Sequence, residues 1–324
     1  MKKIAKIATG LILAFIALIT TMTNVNAAPS QIGIATSRKI NNAYIEGLTF
    51  SYKYCSDGKY LYCLNRHKNT ASNVMANYVP NSYYIDGGLT YILKIGYPEK
   101  SITGDQEKDY YITQTAVWLY LDKTHGTNNL NGGIKSTPQN AAILNHVNNL
   151  VNQGLAHRND PTGVQEVKLA LTTNSNNLTI QDNYFVSSDI RVASSQNINT
   201  YKVTLSNAPS GTVISQNGKD FTYTGAFNVG INDTLRIKVP TSSVSSKTEI
   251  TLNAEAAGNT TMVAYEYQPV DTSMQNVVIV GKETPTTGAN LKFTATPAPT
   301  PTPTPKSKPT ITTFCILVST GWYS

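Results

Sequence analysis

The sequence predicts an α+β fold: a β-rich domain with a helical insertion over about Gln106–Gly154 and a sandwich- or barrel-like C-terminal half. Three patterns carry this expectation. Gln106–Leu121 has apolar or aromatic residues at helical spacing, Ile112, Ala116 and Leu119, widened by Tyr111, Trp118 and Leu121. Thr137-Pro138, a polar cap followed by proline, opens a second helix that carries Ala142, Ile143, Val147, Leu150 and Val151 and stops near Gly154. From Val164 onward short alternating segments take over, among them Val167–Leu171, Tyr201–Leu205, Phe221–Phe227, Thr234–Val239, Glu249–Leu252 and Met262–Tyr267. Clusters of Asn, Ser and Gly separate them, as turns do in sandwiches and barrels. Ahead of the helices, Gln31–Leu64 and Tyr83–Ile95 are rich in Tyr, Ile and Thr and are read as strands and turns.

The two ends are of a different character. Lys2, Lys3 and Lys6 precede an apolar run from Ile7 to Ile19, and Val25-Asn26-Ala27 supplies small residues for cleavage, so 1–27 is read as a secretory signal peptide. That run is short for a membrane span, and none is expected. Without its three lysines the chain has 23 Lys+Arg instead of 26 against 19 Asp+Glu, a net charge of +4 instead of +7. So slight an excess, with no basic run, gives no reason to expect a nucleic-acid partner. The folded domain is expected over 28–282, divided into a mixed strand and helix part (28–160) and a β-rich part (161–282). Residues 283–324 are read as a Thr/Pro-rich stalk with an atypical C-terminus; Ala295–Pro309 would extend roughly 45 Å at about 3.1 Å per residue. Thr284–Gly288 has the look of a sorting signal lacking its leading Leu, is followed by no apolar anchor, and is read as linker. The natural chain is expected to be longer.

Three cysteines, Cys55, Cys63 and Cys315, are an odd number for a secreted protein, so at least one is unpaired or otherwise engaged. A hairpin over Tyr52–Tyr62 turning at Asp57-Gly58 would pair Cys55 with Tyr60. Cys63 would then lie about 10 Å along the strand at roughly 3.4 Å per residue. A disulfide needs α-carbons within about 7 Å, which argues against a Cys55–Cys63 bridge.

Around Cys63 stands Tyr62-Cys63-Leu64-Asn65, an aromatic-Cys-apolar-polar pattern; downstream stands Thr113-Gln114-Thr115-Ala116-Val117-Trp118, which fits T-Q-x-A-apolar-W at every position. A third pattern, apolar-Gln-x-x-apolar-apolar, is met by Met274–Ile279 and also by Ile180–Phe185. In content and order these motifs resemble those of the bacterial surface thioester domains of Gram-positive organisms. The resemblance implies an internal thioester between Cys63 and a glutamine, attacked by a lysine amine of a host extracellular or surface protein. It also implies which glutamine is bonded: the T-Q-x-A residue, Gln114, lies beside the bond, and the acyl carbon belongs to the last motif. Gln275 is favoured because it closes the β region; Gln114 and Gln181 remain alternatives. Tyr62, Thr113, Gln114, Ala116 and Trp118 are expected to form the surroundings of the bond, with Trp118 as core packing or as its shield.

The residue types suit that chemistry: a thiol to form the bond, a primary amide to lose ammonia, and an apolar shell to exclude water. The event happens once, so no enzyme, cofactor or metal is expected, and the protein is expected to be a monomer at the cell surface. Two rivals stand beside this reading. One is a non-covalent β-sandwich binding module on a stalk; the other is a cysteine hydrolase using Cys63 with His146 or His157. The four histidines, His67, His125, His146 and His157, show no metal-ligand spacing. The 19 tyrosines are read as strand residues.

Overall fold

The computed structural model of the chain describes residues 32–33, 39–40, 43–55, 57–70, 78–83, 86–131 and 133–298. The expected signal peptide, Cys315 and the expected stalk beyond residue 298 lie outside them. Two hydrophobic cores organise the described residues. The first is built from residues between Ile32 and Val151 together with Val263–Ile279, the second from Val167–Ala256 together with Ala289–Ala295.

The first core gathers around helices. In chain order come β1 (Leu61–Cys63), β2 (Tyr78–Tyr83), α1 (Gly87–Ile95), α2 (Gln106–His125) and α3 (Ala141–Ala156). Helix α2 starts where Asp105 accepts hydrogen bonds from the Glu107 and Lys108 amides, and ends at Gly126 in the left-handed conformation. Every residue from Asp109 to Asp122 is buried, so the helix is central to the core rather than one-sided. Its tyrosines hold the irregular chain before it. Tyr110 Oη donates to the Leu61 carbonyl at 2.9 Å and accepts from the Lys53 amide at 3.0 Å. Tyr111 Oη does the same for the Leu48 carbonyl at 2.6 Å and the Ile45 amide at 3.1 Å. These tyrosines are helical struts that satisfy backbone lacking a strand partner, not the strand residues expected from their abundance.

Helix α1 occupies a stretch read from the sequence as strand and turn. Asp86 caps it, accepting from the Gly88 and Leu89 amides, and Leu89, Ile92 and Leu93 form its buried face. A Cβ at Gly88 would collide with the Gly154 carbonyl and the Tyr120 hydroxyl, so glycine permits the close crossing of α1 on α3 and α2. Helix α3 begins later than the Thr137-Pro138 signal suggested: those residues form a turn in which Asn140 Oδ1 accepts from the Thr137 amide at 2.8 Å.

The second core is a sandwich. Its strands are β3 (Leu169–Thr173), β4 (Thr179–Gln181), β5 (Tyr184–Val186), β6 (Ile190–Ser194), β7 (Thr200–Ser206), β8 (Val213–Gln216), β9 (Lys219–Thr222), β10 (Phe227–Gly230), β11 (Leu235–Pro240) and β12 (Thr248–Ala257). One sheet runs β3-β6-β11-β5-β4 with β8 and β9 attached through β11, and the other runs β10-β7-β12 and a last strand, β15 (Thr286–Ala295). Phe221–Phe227, read as one strand, is divided between β9 and β10 by a turn.

Strands β13 (Thr261–Pro269), β14 (Val277–Glu283) and β15 (Thr286–Ala295) correct the expected domain boundaries. β13 and β14 pair with each other and join β2 and β1 in a sheet of the first core, order β1-β14-β13-β2. β15, read from the sequence as linker, is fully paired with β12 from Thr248↔Ala295 to Ala257↔Thr286. Four consecutive strands therefore make one long ribbon: β12 runs on into β13 and β14 into β15. The Gly258 amide donates to the Pro285 carbonyl at 2.7 Å where the ribbon passes between the cores. The ribbon's tip, between β13 and β14, carries Gln275.

Asp109 offers a test of how α2 is anchored. Its carboxylate is buried and accepts from Ser101 Oγ at 2.8 Å, the Ile102 amide at 2.9 Å, the Thr103 amide at 2.7 Å and Thr103 Oγ1 at 2.6 Å. Burial alone would raise its pKa, but these donors outweigh it and hold the group below its ordinary 3.8. A depressed native pKa stabilises the fold above the unfolded value and loses that contribution as the pH falls through the native one. Asp109→Asn is expected to lower unfolding free energy by about 2–3 kcal/mol at neutral pH. In denaturant titrations the deficit should shrink below pH 4; an equal deficit at every pH would deny the carboxylate its role.

Candidate functional site

Cys63 ends β1 and pairs with Val277 of β14. The pair is of the non-hydrogen-bonded kind: the Leu64 amide, one residue on, donates to the Asn276 carbonyl at 3.1 Å, and Cys63 turns its own amide and carbonyl to the other side. There the Gln114 side chain receives both. Its Oε1 accepts from the Cys63 amide at 2.8 Å and its Nε2 donates to the Cys63 carbonyl at 2.9 Å. A primary amide, one acceptor and one donor side by side, thus takes the place of a neighbouring strand. Gln114 can do this because α2 is buried all round and aims a polar side chain at the edge of β1.

Continuing the β1–β14 register two residues past Cys63↔Val277 sets Gln275 opposite Asn65, so its side chain starts diagonal to Cys63 on the same face. The Gln275 amide is buried and fully engaged. Its Oε1 accepts from the Asn65 amide at 2.9 Å, and its Nε2 donates to the Lys68 carbonyl at 2.7 Å and to Thr70 Oγ1 at 3.0 Å. The backbone is held as well: the Gln275 amide donates to the Asn69 carbonyl at 2.9 Å, and Tyr78 Oη donates to the Gln275 carbonyl at 3.2 Å. Cys63 Sγ lies 3.2 Å from the same Thr70 Oγ1. Thiol and carboxamide therefore meet on one hydroxyl.

Both thiols of the described residues are free, and no disulfide joins them. The turn before β1 is wider than expected, with Tyr54 opposite Tyr60 and the Cys55 amide bonded to the Lys59 carbonyl, which carries Cys63 further from Cys55. Burial pushes the Cys63 thiol above its ordinary pKa, a rise only partly offset by the Thr70 hydrogen bond and the Lys53 charge. Burial, reinforced by Asp57, pushes Cys55 up to about 12.

The other residues singled out in the sequence support the site at one remove. Tyr62 stacks on Tyr110 with ring centroids 5.1 Å apart and donates to the Tyr97 carbonyl. Thr113 Oγ1 accepts from the Tyr97 amide at 2.9 Å, fixing the same turn. Ala116 is buried in α2, and Trp118 packs edge-on against Phe50 at 5.0 Å. The Trp118 carbonyl accepts from Asn128 Nδ2 at 3.3 Å. Gln181 is exposed on β4 in the second core, with its Nε2 donating to Thr179 Oγ1, and is not brought to Cys63. His157 is turned to Asp160, 2.7 Å away, and stacks on Tyr91.

Two residues at the site escaped the sequence reading. Thr70 belongs to no motif and lies seven residues from Cys63, in a stretch with no periodicity. Asn128 pins the loop after Cys63: its Oδ1 accepts from the Arg66 amide at 2.9 Å and its Nδ2 donates to the Leu64 carbonyl at 3.2 Å. It stands in an Asn- and Gly-rich connection of the sort that ordinarily reads as a surface loop. Beside these groups opens a cleft of about 330 Å³ lined by Leu64, Asn65, Lys68, His125, Glu266 and Asn276 among others.

Residues 60–156 match the family model of the thioester domain, a span that holds Cys63, Thr70 and the Thr113–Trp118 motif but not Gln275. The fold is similar to the thioester domain of the Enterococcus faecium TIE86 protein, with 18% identity, a TM-score of 0.53, and coverage of 86% of this chain and all of that one. The Bacillus anthracis TIE protein aligns at 18% identity and a TM-score of 0.49 over 82% of this chain and 48% of its own. No curated protein matches the chain. Residues 60–156, which hold the Cys63 and Gln114 motifs, thus match the thioester-domain family, and the fold is similar to that of an enterococcal thioester domain.

Proposed function

We propose that the protein is a secreted, surface-displayed adhesin that captures a host protein covalently through a thioester between Cys63 and Gln275. The convergence of the Cys63 thiol and the Gln275 carboxamide on Thr70 carries this reading. The thiol attacks the Gln275 side-chain carbon, the new S–C bond replaces the C–N bond, and ammonia leaves. A lysine amine of the target then attacks the same carbon. The product is an amide, and Cys63 regains its thiol. Nothing turns over, so the protein is spent in one event.

Each contact has a part in this chemistry. The Asn65 amide donates to the carbonyl oxygen, where negative charge gathers as either nucleophile adds. Gln114 fixes the backbone of the nucleophile and leaves its own acyl carbon turned to Cys63's main chain, which favours Gln275 as the acyl donor. Burial keeps water from the bond. The cleft bordering Asn65, Lys68 and Asn276 adjoins residues that hold the Gln275 carboxamide, and a small amine or a Lys of the target would approach from that side. The Thr/Pro segment would hold the domain away from the cell.

Intact-mass measurement tests the bond. Mature protein should be one ammonia lighter than its sequence, Cys63→Ala and Gln275→Ala should have full mass, and peptide mapping should link Cys63 to Gln275. A wild type of full mass would end this reading. Gln114→Ala should keep the acyl carbon and still lose ammonia, though more slowly, while orphaning the Cys63 amide and carbonyl at about 2–4 kcal/mol of stability.

Reactivity is a separate matter. Methylamine should add once to the wild type, restore the mass of one amine and release one thiol, with no reaction in Cys63→Ala. Wild type mixed with plasma or epithelial-surface proteins should give adducts that survive boiling in denaturant. If methylamine reacts yet no such adduct forms with any host fraction, the bond would be a structural cross-link rather than a weapon of capture.

A further inference from the structure

We propose that Thr70 is a catalytic residue of this site, the hydroxyl that carries the thiol proton to the departing nitrogen when the thioester forms. This rests on the Cys63–Gln275 reading and adds to it a requirement that reading leaves open. Forming the bond turns –SH and –CONH₂ into a thioester and NH₃, so one proton must travel from sulfur to nitrogen. Burial holds that proton on sulfur at neutral pH, so it has to leave as the S–C bond forms.

Among the described residues, the side-chain partner of both Cys63 Sγ and Gln275 Nε2 is Thr70 Oγ1, at 3.2 Å and 3.0 Å. The second N–H of the carboxamide is taken by the Lys68 carbonyl at 2.7 Å. No carboxylate or imidazole among the described residues bonds to either reacting atom, so the usual general bases are absent from both ends of the transfer. A hydroxyl both accepts and donates, and can therefore pass a proton without holding a charge.

In the resting amide the nitrogen donates to Thr70, since its lone pair is delocalised into the carbonyl. As sulfur adds, that delocalisation is lost and the nitrogen becomes basic, so the hydrogen bond reverses. Sulfur gives its proton to Thr70 Oγ1, Thr70 gives its own to Nε2, the C–N bond breaks and ammonia departs. Threonine ends as it began. The same path run backwards serves aminolysis: the attacking amine occupies the position vacated by ammonia, gives a proton to Thr70, and Thr70 reprotonates the departing sulfur. The Lys68 carbonyl would then orient the incoming N–H. Nothing in the motifs of the chain foretells this role.

The test uses the full mature chain with Thr70→Val, which keeps the shape and removes the hydroxyl, and Thr70→Ser, which keeps the hydroxyl. Intact mass reports bond formation, and the methylamine rate, followed by thiol release, reports its reversal. Loss of general acid–base transfer should slow both by about 100-fold or more in Thr70→Val, with Thr70→Ser within about tenfold of wild type. Thermal melting of each variant establishes that it is folded. Complete ammonia loss and wild-type methylamine kinetics in folded Thr70→Val would overturn the proposal. Should that variant not fold, the wild type decides: relay through a hydroxyl moves two protons, so thiol release by methylamine in mixed H₂O and D₂O should give a curved dependence on deuterium, and no isotope effect would overturn it. A wild type of full mass would instead refute the thioester itself, a result distinguishable from failure of the relay.

Discussion

Two strands distant in the chain, β1 and β14, lie side by side at Cys63↔Val277, and the site depends on that pairing. It brings residues 63 and 275, separated by 212 positions, to diagonal places on one face. Loop closure over such a separation is entropically unfavourable, so the pairing needs support on both edges. β13 supplies it beyond β14, and the Gln114 carboxamide supplies it beyond β1. Gln114 is thus less a reactive group than a fixed stand-in for a strand. Its removal would leave two buried backbone groups without partners next to the nucleophile.

The ribbon of β12–β13 and β14–β15 ties this pairing to the rest of the molecule. It belongs to the sandwich at one end and to the helical core at the other, with its tip at Gln275. The sandwich is therefore connected by continuous strands to the segment that bears the proposed acyl carbon. In the proposed reaction a target joined to Gln275 would be linked to the chain beyond residue 295 along β14 and β15 alone, both of them extended and laterally bonded. Cys63, freed in the same step, would lie off that route.

Dryness and polarity are reconciled at the site by saturation. Gln275, Gln114 and Asn128 are buried primary amides, and each has its donors and acceptors assigned to named backbone or hydroxyl groups. Such groups are tolerated in a core only when so satisfied. The consequence for the thiol is the reverse of what a hydrolase requires. Burial raises its pKa, and among the described residues no imidazole hydrogen-bonds to it, which would suit the proposed sulfur that reacts once with a preset partner.

Much was legible from residues alone. Motif order, α2 and the alternating strands are local patterns, because periodicity and turn chemistry act over a few residues. Local pattern failed where tertiary contact overrides it: α1 was hidden by Tyr, Ile and Thr content until Asp86 and the crossing with Gly154 fixed it as helix, and β15 was hidden by linker-like composition although β12 pairs along its whole length. The glutamines show the division most sharply. Gln181 and Gln275 sit in equivalent apolar-Gln patterns, and nothing within six residues separates them. Register does, for β4 is an exposed edge of the sandwich whereas Gln275 continues the β1–β14 ladder beside Cys63. The sequence by itself determined the motifs that hold Cys63, Gln114 and the two candidate glutamines; only the tertiary structure decided that Gln275, and not Gln181, shares a hydrogen-bonding hydroxyl, Thr70, with Cys63, because strand pairing is a contact between distant segments that no local spacing encodes.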